Sequence, residues 1–308
     1  MRNFTFKGLL LTAVFMLLGC LSIQAANDDL ITKQITIKLD KAGTLPNKIA
    51  SSEMYKITNL KIIGEINGTD WNMIREMAGR NYQESSTEGN LSVLDLSEAK
   101  IVAGGDYYYD DNLFNNKVYT SNDEIGEYAF AYCSGLTSLT LPVGITSIGE
   151  FAFSGCSGLT SLTLPAGITS IGRGAFNGCS GLTSLTLPDG VTSIYFDAFA
   201  GCSGLTSIYV YAEKVPKIDS KAFEGFDAKK CTLYVPMGTS SDYWLSDFGD
   251  YFENIVEFDA TGIDKTTIST DIEEVTRYSV NGQRLYAPTK GLNIVKYSDG
   301  SVKKVTVR

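Results

Sequence analysis

Short apolar segments recur at a constant interval through the middle of the chain. Residues 126–148, 149–171 and 172–194 align without a gap, so the period is 23 residues. Two less regular copies follow, beginning at Tyr195 and Asp219. A fixed period of this length is typical of a solenoid, in which each repeat forms one coil.

The apolar positions within one copy, residues 126–148, predict a coil with two short extended segments. Pro142 and Gly144 are expected to form the corner between them. Because one coil cannot bury its own apolar edge, identical residues must stack along the axis of the solenoid. The side chains predicted to form these ladders are Ala129, Phe130, Cys133, Leu139, Leu141, Ile145 and Ile148.

Upstream of the regular copies the pattern becomes irregular. Residues 91–96 match residues 136–141 as a degenerate copy, and the offset of 45 residues is one period plus an insertion of 22 residues. Earlier still, Asp70 is predicted to cap a short helix that ends at Gly79 and covers the open first coil. Its apolar stripe consists of Trp71, Ile74 and Met77/Ala78.

These patterns divide the chain into six parts. The expected boundaries are 1–25 for an export signal, 26–88 for an N-terminal α/β cap, 89–238 for the solenoid with an insertion at 104–122, 239–258 for an aromatic C-terminal cap, 259–271 for a linker rich in Thr, Ser and Asp, and 272–308 for a small β module.

The repeat itself, AFxxCSGLTSLTLPxGITSIG, is present nearly intact three times and recognisably about five times. It resembles the leucine-rich repeats of the BspA-like family of bacterial surface proteins. The resemblance covers residues 89–238 and implies a β-rich solenoid, a right-handed leucine-rich-repeat coil closed by a cap at each end. It also implies adhesion to host or bacterial macromolecules.

The C-terminal residues alternate as short strands with turns at 281–282 and 299–300. Through residues 280–284, 290–295 and 303–307 they resemble the C-terminal sorting domains of type IX secreted proteins. The alternative is a small β module that protects the end of the chain.

The first 25 residues have the order of an export signal. Arg2 and Lys7 precede an uncharged apolar run over residues 8–23. Cys20 follows Leu-Leu-Gly, as in the lipobox of bacterial lipoproteins, so lipidation of Cys20 and ordinary cleavage after Ala25 are alternatives. Both place the protein in the cell envelope, on the outer surface or outside the cell.

The composition limits the chemistry. The 308 residues include no histidine, which excludes Ser-His-Asp and Cys-His pairs, a histidine general base and zinc sites with histidine ligands. A net charge of -9 argues against nucleic-acid binding, since that binding draws on Lys and Arg. We expect a protein that is not an enzyme, has no cofactor or metal, and contacts a membrane only through a lipid anchor on Cys20.

Two repeated columns carry reactive groups. Stacked coils hold side chains parallel and in a line, which disfavours both disulfides and a four-cysteine metal site, so buried free thiols are expected. The cysteines are Cys133, Cys156, Cys179 and Cys202.

Glu127 and Glu150 form part of the second column and could mimic the carboxylate pair of a retaining glycosidase. Their column continues as Arg173 and Phe196, which favours a solvated face with a weak Glu150–Arg173 contact.

Outward positions of the predicted strands form a flat hydroxyl face, and Tyr209 and Tyr234 continue its threonine column. Tyrosine offers rigid apolar area with one polar atom, which suits recognition. The alternative is that these hydroxyls only keep a strand face soluble. The columns are Ser138, Ser161, Ser184 and Ser207, with Thr140, Thr163 and Thr186 beside them.

The insertion at 104–122 is a second candidate surface. Long loops on a rigid scaffold often bind partners, although a surface loop without a role is the alternative. Calcium binding is disfavoured because the DxDxDG spacing is absent. Aromatic rings lie beside carboxylates at Tyr107, Tyr108, Tyr109, Asp110 and Asp111.

Together these patterns predict an exported, non-catalytic cell-surface repeat protein that mediates protein–protein interaction or adhesion. Its partner would be a host or bacterial surface protein or a glycan. A carbohydrate-binding envelope protein that stacks tyrosines on sugar rings is the alternative, and a carboxylate-dependent hydrolase is a remote one.

Overall fold

The chain divides into two compact units, Met1–Phe258 and Asp259–Arg308. The structure, a computed structural model, describes residues 29–111, 116–260, 274–279, 284–285, 290–297 and 302–307. The predicted export signal with Cys20, and most of the predicted linker, lie outside the described residues.

Short strands dominate the first unit. In chain order they are β1 (Ile35–Lys38), β2 (Asn59–Ile66), β3 (Val93–Ile101), β4 (Gly104–Asp111), β5 (Asn116–Thr120), β6 (Glu124–Ile125), β7 (Ser138–Thr140), β8 (Ser147–Ile148), β9 (Ser161–Thr163), β10 (Ser170–Ile171), β11 (Ser184–Leu187), β12 (Ser193–Ile194), β13 (Ser207–Val210), β14 (Lys217–Ile218), β15 (Thr232–Pro236) and β16 (Asn254–Phe258). The α-helices are α1 (Gly68–Met77), α2 (Ser240–Trp244) and α3 (Asp247–Tyr251), and 3-10 helices span Leu45–Asn47 and Ala228–Lys230.

Each regular copy contributes one strand to each of two parallel sheets. The larger sheet has the order β1-β2-β3-β7-β9-β11-β13-β15-β16, and the smaller has the order β14-β12-β10-β8-β6. Equivalent residues of successive coils pair directly, as Leu139 does with Leu162. The degenerate copy joins in the predicted register, with Leu94 opposite Leu139. The β-rich solenoid is therefore confirmed, and β1, β2 and β16 extend its larger sheet into both caps.

A ladder of phenylalanine rings runs through the core. Neighbouring rings lie parallel, with centroids 5.1 to 5.4 Å apart. All five rings are buried, which removes a large apolar area from water in every coil. The ladder consists of Phe130, Phe153, Phe176, Phe199 and Phe223.

Backbone hydrogen bonds connect the coils beside this ladder. The Phe130 N–H donates to the Ala152 carbonyl of the next coil at 2.7 Å, and the Tyr128 N–H donates to the Glu150 carbonyl at 2.9 Å. The pattern repeats one period later, where Phe153 donates to Ala175 at 2.7 Å. A coil at either end of the stack would therefore leave buried polar groups without partners.

The N-terminal cap supplies donors to the first coil. Ala129 and Glu127 are the first-coil equivalents of the acceptors Ala152 and Glu150. Trp71 Nε1 donates to the Ala129 carbonyl at 2.9 Å, and the Tyr108 hydroxyl donates to the Glu127 carbonyl at 2.9 Å. The Trp71 ring also lies 5.2 Å from Phe130, which closes the phenylalanine ladder.

Helix α1 carries this tryptophan, and its apolar stripe is buried as predicted. The prediction that Asp70 caps the helix was wrong by three residues, because the N-cap is Asn67 and Asp70 completes a capping box from the first turn. Asp70 is fully buried and also accepts hydrogen bonds from the N–H groups of Gly43 and Leu45, at 2.6 and 2.8 Å. It thereby ties the 3-10 segment to the helix.

The insertion is an antiparallel hairpin, β4 and β5, and not the predicted surface loop. Tyr108 is 1% exposed and lies 6.1 Å from Trp71. Tyr109 is 7% exposed and stacks on Tyr128 at 4.1 Å. The hairpin is thus part of the N-terminal cap.

The C-terminal cap supplies the complementary acceptor. The Tyr251 hydroxyl accepts from the Lys221 N–H of the last coil at 2.9 Å. Phe252 and Phe248 lie 5.0 and 5.9 Å from Phe223, the last ring of the ladder. The aromatic-rich segment therefore closes the end of the core.

The second unit contains an antiparallel sheet of four strands. The strands are β17 (Glu274–Ser279), β18 (Arg284–Leu285), β19 (Gly291–Tyr297) and β20 (Val302–Val307), in the order β18-β17-β19-β20. Their positions agree with the predicted alternation of short strands.

The repeated cysteines are buried free thiols, as is Cys231 outside the ladder. Each ladder thiol after the first donates to a phenylalanine carbonyl of the preceding coil, as Cys179 Sγ does to Phe153 at 3.1 Å. Burial raises the pKa of the Cys202 thiol to about 12. These groups therefore serve as small apolar side chains with one weak donor.

Replacing Tyr108 by alanine is expected to lower the free energy of unfolding by about 3 to 5 kcal/mol, because it opens a cavity against Trp71. Tyr119→Ala is the control, since that tyrosine of the same hairpin is 50% exposed, and it should lower the free energy of unfolding by only about 0.5 kcal/mol. Urea unfolding measures both. An equal loss of unfolding free energy in both variants would show that the hairpin does not contribute to the core.

Alkylation of the native protein by iodoacetamide at about pH 8 is expected to spare Cys156, Cys179 and Cys202, because burial keeps these thiols protonated and shielded. All should react once the protein is unfolded in guanidinium. Ser134→Cys, at an exposed neighbouring position, provides the control thiol that reacts in the native state. Mass spectrometry resolves the sites, and native labelling of Cys179 at the rate of the control would contradict the buried ladder.

Candidate interaction surfaces

The outward residues of the larger sheet form one continuous face. Thr140, Thr163 and Thr186 lie opposite one another on successive strands, and Tyr209 and Tyr234 continue their column. Between them the apolar residues point inward and are buried. The predicted threonine-to-tyrosine column is therefore present, and Val256 of β16 extends it by one residue.

The serine column runs beside it through Ser138, Ser161, Ser184 and Ser207. The first two are exposed, and the Ser207 hydroxyl donates to the Ser184 hydroxyl at 3.0 Å. A neighbouring column of threonines is also on the surface, but its hydroxyls hydrogen-bond to the backbone of the preceding coil, a difference that the sequence did not reveal. In that column Thr160, for example, donates to the Thr137 carbonyl of the preceding coil at 3.2 Å.

Four aromatic rings gather at the C-terminal end of the strand face. Tyr209 and Tyr234 stack with centroids 4.4 Å apart and planes 7° from parallel. Phe258 meets Tyr209 edge to face at 5.7 Å and Tyr211 at 5.0 Å. We call Tyr209, Tyr211, Tyr234 and Phe258 the aromatic end of the strand face.

Charge is confined to the opposite end of the same face. Lys61 forms ion pairs with Asp95 at 3.2 Å and with Glu98 at 2.7 Å. Hydrogen bonds to Glu98 and Asp95 raise the pKa of Lys61. From β7 to β15 the outward positions carry only hydroxyl and phenol groups, so the middle of the face is neutral.

The insertion does not offer the predicted group of exposed tyrosines. Tyr108 and Tyr109 are core residues, so this part of the prediction was wrong. Tyr107 is half-buried between the edges of Tyr82 and Tyr119, and the Lys117 ammonium lies 4.4 Å from its ring centroid. Asp110 is also half-buried, and its N–H donates to the Tyr82 carbonyl at 2.8 Å. The side chain of Asp111 lies outside the described residues.

A groove of about 440 Å³ follows the smaller sheet. Its lining includes Glu127, Glu150, Arg173 and Phe196, the column in which the copies differ from one another. The predicted Glu150–Arg173 contact is absent: within the described parts of the chain no carboxylate lies within ion-pairing distance of Arg173. Its guanidinium instead lies over the rings of Phe151 and Phe196, at 5.8 and 5.6 Å from their centroids.

The acidic end of the groove has a distinct electrostatic character. Burial and the neighbouring charge of Glu150 raise the pKa of Glu127. These carboxylates belong to adjacent coils and give this end of the groove a local negative charge.

Residues 29–111, 116–260 and the described strands of the second unit contain no group of three or more Cys, Asp or Glu side chains arranged to hold a metal ion. Likewise, none of the helices found there has the length and apolarity to span a bilayer.

Known proteins match the repeat region. The model of the BspA type leucine rich repeat region matches residues 104–238 in six copies. Among solved structures, a leucine-rich repeat protein of T. pallidum shares 27% identity over 45% of this chain and 67% of its own, with a TM-score of 0.36. No curated protein sequence matches the chain.

Two further solved structures are similar over parts of the chain. A leucine-rich repeat protein of Bacteroides ovatus shares 27% identity over 37% of each chain, with a TM-score of 0.28. A leucine rich cell surface protein of Faecalibacterium prausnitzii shares 20% identity over 60% of this chain and 49% of its own, with a TM-score of 0.30. The aligned part thus spans less than half of both relatives.

The family match, the 23-residue period and the stacked coils agree on one assignment. Residues 104–238 of this chain are a BspA-type leucine-rich repeat region.

Proposed function

We propose that the protein is an exported, non-catalytic adhesion protein that binds a protein partner through its strand face. The observation that carries the proposal is the flat, neutral column of threonines that ends in the stacked pair Tyr209 and Tyr234. Export rests on the order of basic, apolar and small residues in positions 1–25. Whether Cys20 is lipidated decides only between an anchored and a released form.

A rigid strand face lowers the entropic cost of association. Its residues are held by neighbours on both sides in parallel register, so binding immobilises few side chains. The hydroxyl columns contribute hydrogen-bonding groups without charge, whereas the aromatic end contributes area that is typical of interface hot spots. Tyr211 and Val256, which are 37% and 43% exposed, widen that end.

The orientation of the tyrosines favours a protein over a glycan. Sugar rings stack on open aromatic faces, but Tyr209 and Tyr234 cover one face of each other at 4.4 Å. The face of Tyr107 is occupied by Lys117, and Tyr108 and Tyr109 are buried. Ring edges and phenol hydroxyls are the groups that suit contact with polypeptide.

The test is affinity capture from host extracellular matrix and from bacterial surface extract with the full chain. A true partner is retained by the wild-type protein and lost from the double variant Tyr209→Ala/Tyr234→Ala, because the aromatic anchor is removed. Retention should change little between about 0.1 and 1 M salt, since the face is neutral.

Tyr132→Ala is the matched control, because Tyr132 is 43% exposed and belongs to no strand of either sheet. It should leave capture unchanged. Capture that is unchanged in the variant Tyr209→Ala/Tyr234→Ala, or that is lost at high salt concentration, would contradict the proposed surface. Saturable binding to a glycan array that depends on Tyr209 and Tyr234 would replace the protein partner by a carbohydrate.

A further inference from the structure

The groove on the smaller sheet contains a pre-organised cation. Arg173 lies between two aromatic rings contributed by the coils before and after its own, Phe151 and Phe196. The next position, Gly174, makes this possible: a Cβ there would lie 2.4 Å from the Phe151 ring. Three successive coils therefore cooperate to hold one guanidinium in place.

The hydrogen-bonding edge of this guanidinium is available. Arg173 is exposed, and within the described residues it forms no hydrogen bond through its side chain and no ion pair. A planar guanidinium whose N–H groups are open to solvent matches a carboxylate in a bidentate arrangement. Contact with the two rings reduces the rotamer entropy that arginine would otherwise lose on binding.

The other end of the groove has the opposite charge. Glu150 and Glu127 occupy the same column one and two coils before Arg173, and both are exposed. Partial burial, together with the neighbouring charge of Glu150, raises the pKa of Glu127. A ligand with only negative charge would be repelled at this end, whereas a cationic group would relieve the repulsion.

Between these ends three equivalent glycines, Gly126, Gly149 and Gly172, line the groove. A Cβ on Gly149 or Gly172 would lie 2.7 or 2.6 Å from the backbone of the preceding coil. These two glycines therefore allow the coils to approach closely, and the three glycines contribute only backbone atoms to the groove lining.

We propose that this groove binds an extended peptide segment in which a basic and an acidic side chain are two residues apart. The acidic side chain would pair with Arg173, and the basic one would lie at Glu127 and Glu150. In an extended segment such side chains point the same way and are about 7 Å apart, while successive coils are about 4.8 Å apart. The spacing therefore falls between one and two coils, which is the separation of the opposite charges in the column.

The proposal can be tested with the full chain and two acetylated, amidated pentapeptides, Ser-Lys-Ser-Glu-Ser and the reversed order Ser-Glu-Ser-Lys-Ser. NMR titration follows the amide signals of Gly126, Gly149 and Gly172, which line the groove. A peptide of at least one of the two orders should shift these signals with a Kd of about 1 mM. Replacing the peptide glutamate by glutamine, or Arg173 by glutamine, should weaken binding about tenfold.

Lys41→Gln is the matched control, because it removes one exposed positive charge in the N-terminal cap and should leave binding unchanged. Arg173→Glu should reverse the preference, so that a peptide with two lysines binds more tightly than the lysine–glutamate peptides. Groove signals that do not move up to about 10 mM of either peptide would overturn the proposal, as would equal binding by Arg173→Gln.

The strand-face variant Tyr209→Ala/Tyr234→Ala should retain the peptide affinity of the wild-type protein, since its substitutions lie on the other sheet. Loss of capture by that variant with unchanged peptide binding would assign the two surfaces to separate ligands. Loss of peptide binding in that variant would show that the groove does not act independently and would overturn the proposal as stated.

Discussion

Everything in the first unit depends on the contact between one coil and the next. Phenylalanine rings about 5 Å apart and backbone hydrogen bonds such as that from Phe130 to Ala152 form the interface, and no coil buries its apolar edge alone. Such a stack must be terminated. At the first coil, side chains of Trp71 and Tyr108 supply donors where inner coils use backbone N–H groups. At the last coil, Tyr251 supplies an acceptor. The caps are therefore chemical complements of the open ends as well as apolar covers.

This requirement separates positions that the fold fixes from positions that are free to vary. Ladder residues are fixed because they fill the core between coils, and Gly149 and Gly172 are fixed because a Cβ there would lie 2.7 or 2.6 Å from the preceding coil. Outward columns are free to vary, and in two of them the type of side chain changes along the solenoid. The threonine column ends in tyrosines, and the Glu127 column changes to Arg173 and Phe196. The two candidate surfaces lie on different sheets of the same rigid stack, so each can be altered without changing the interface that holds the coils together.

The sequence predicted the parts of this structure that repeat. A 23-residue period fixes which residues stack, so the ladders, the register and the outward columns followed from it. The hairpin at 104–120 could not be placed that way, because it has no equivalent in other copies. The run of three tyrosines between Asp106 and Asp110 favours a strand, but its burial depends on Trp71 and Tyr128. The position of Arg173 could not be predicted either, because it depends on rings from the coils before and after its own, whereas the charges in the column favoured a contact with Glu150.

The most direct test of the stacking account is removal of one complete coil, residues 149–171. The deletion joins Ile148 to Gly172, which repeats the natural junction of Ile148 with Gly149, and it brings Leu139 opposite Leu185, an identical side chain in an equivalent strand. If neighbouring coils are the source of stability, the shortened protein folds cooperatively, keeps its strand circular dichroism signal and unfolds at a lower urea concentration. A shortened chain without fixed tertiary structure would contradict the account, because it would show that the coils depend on contacts beyond their neighbours.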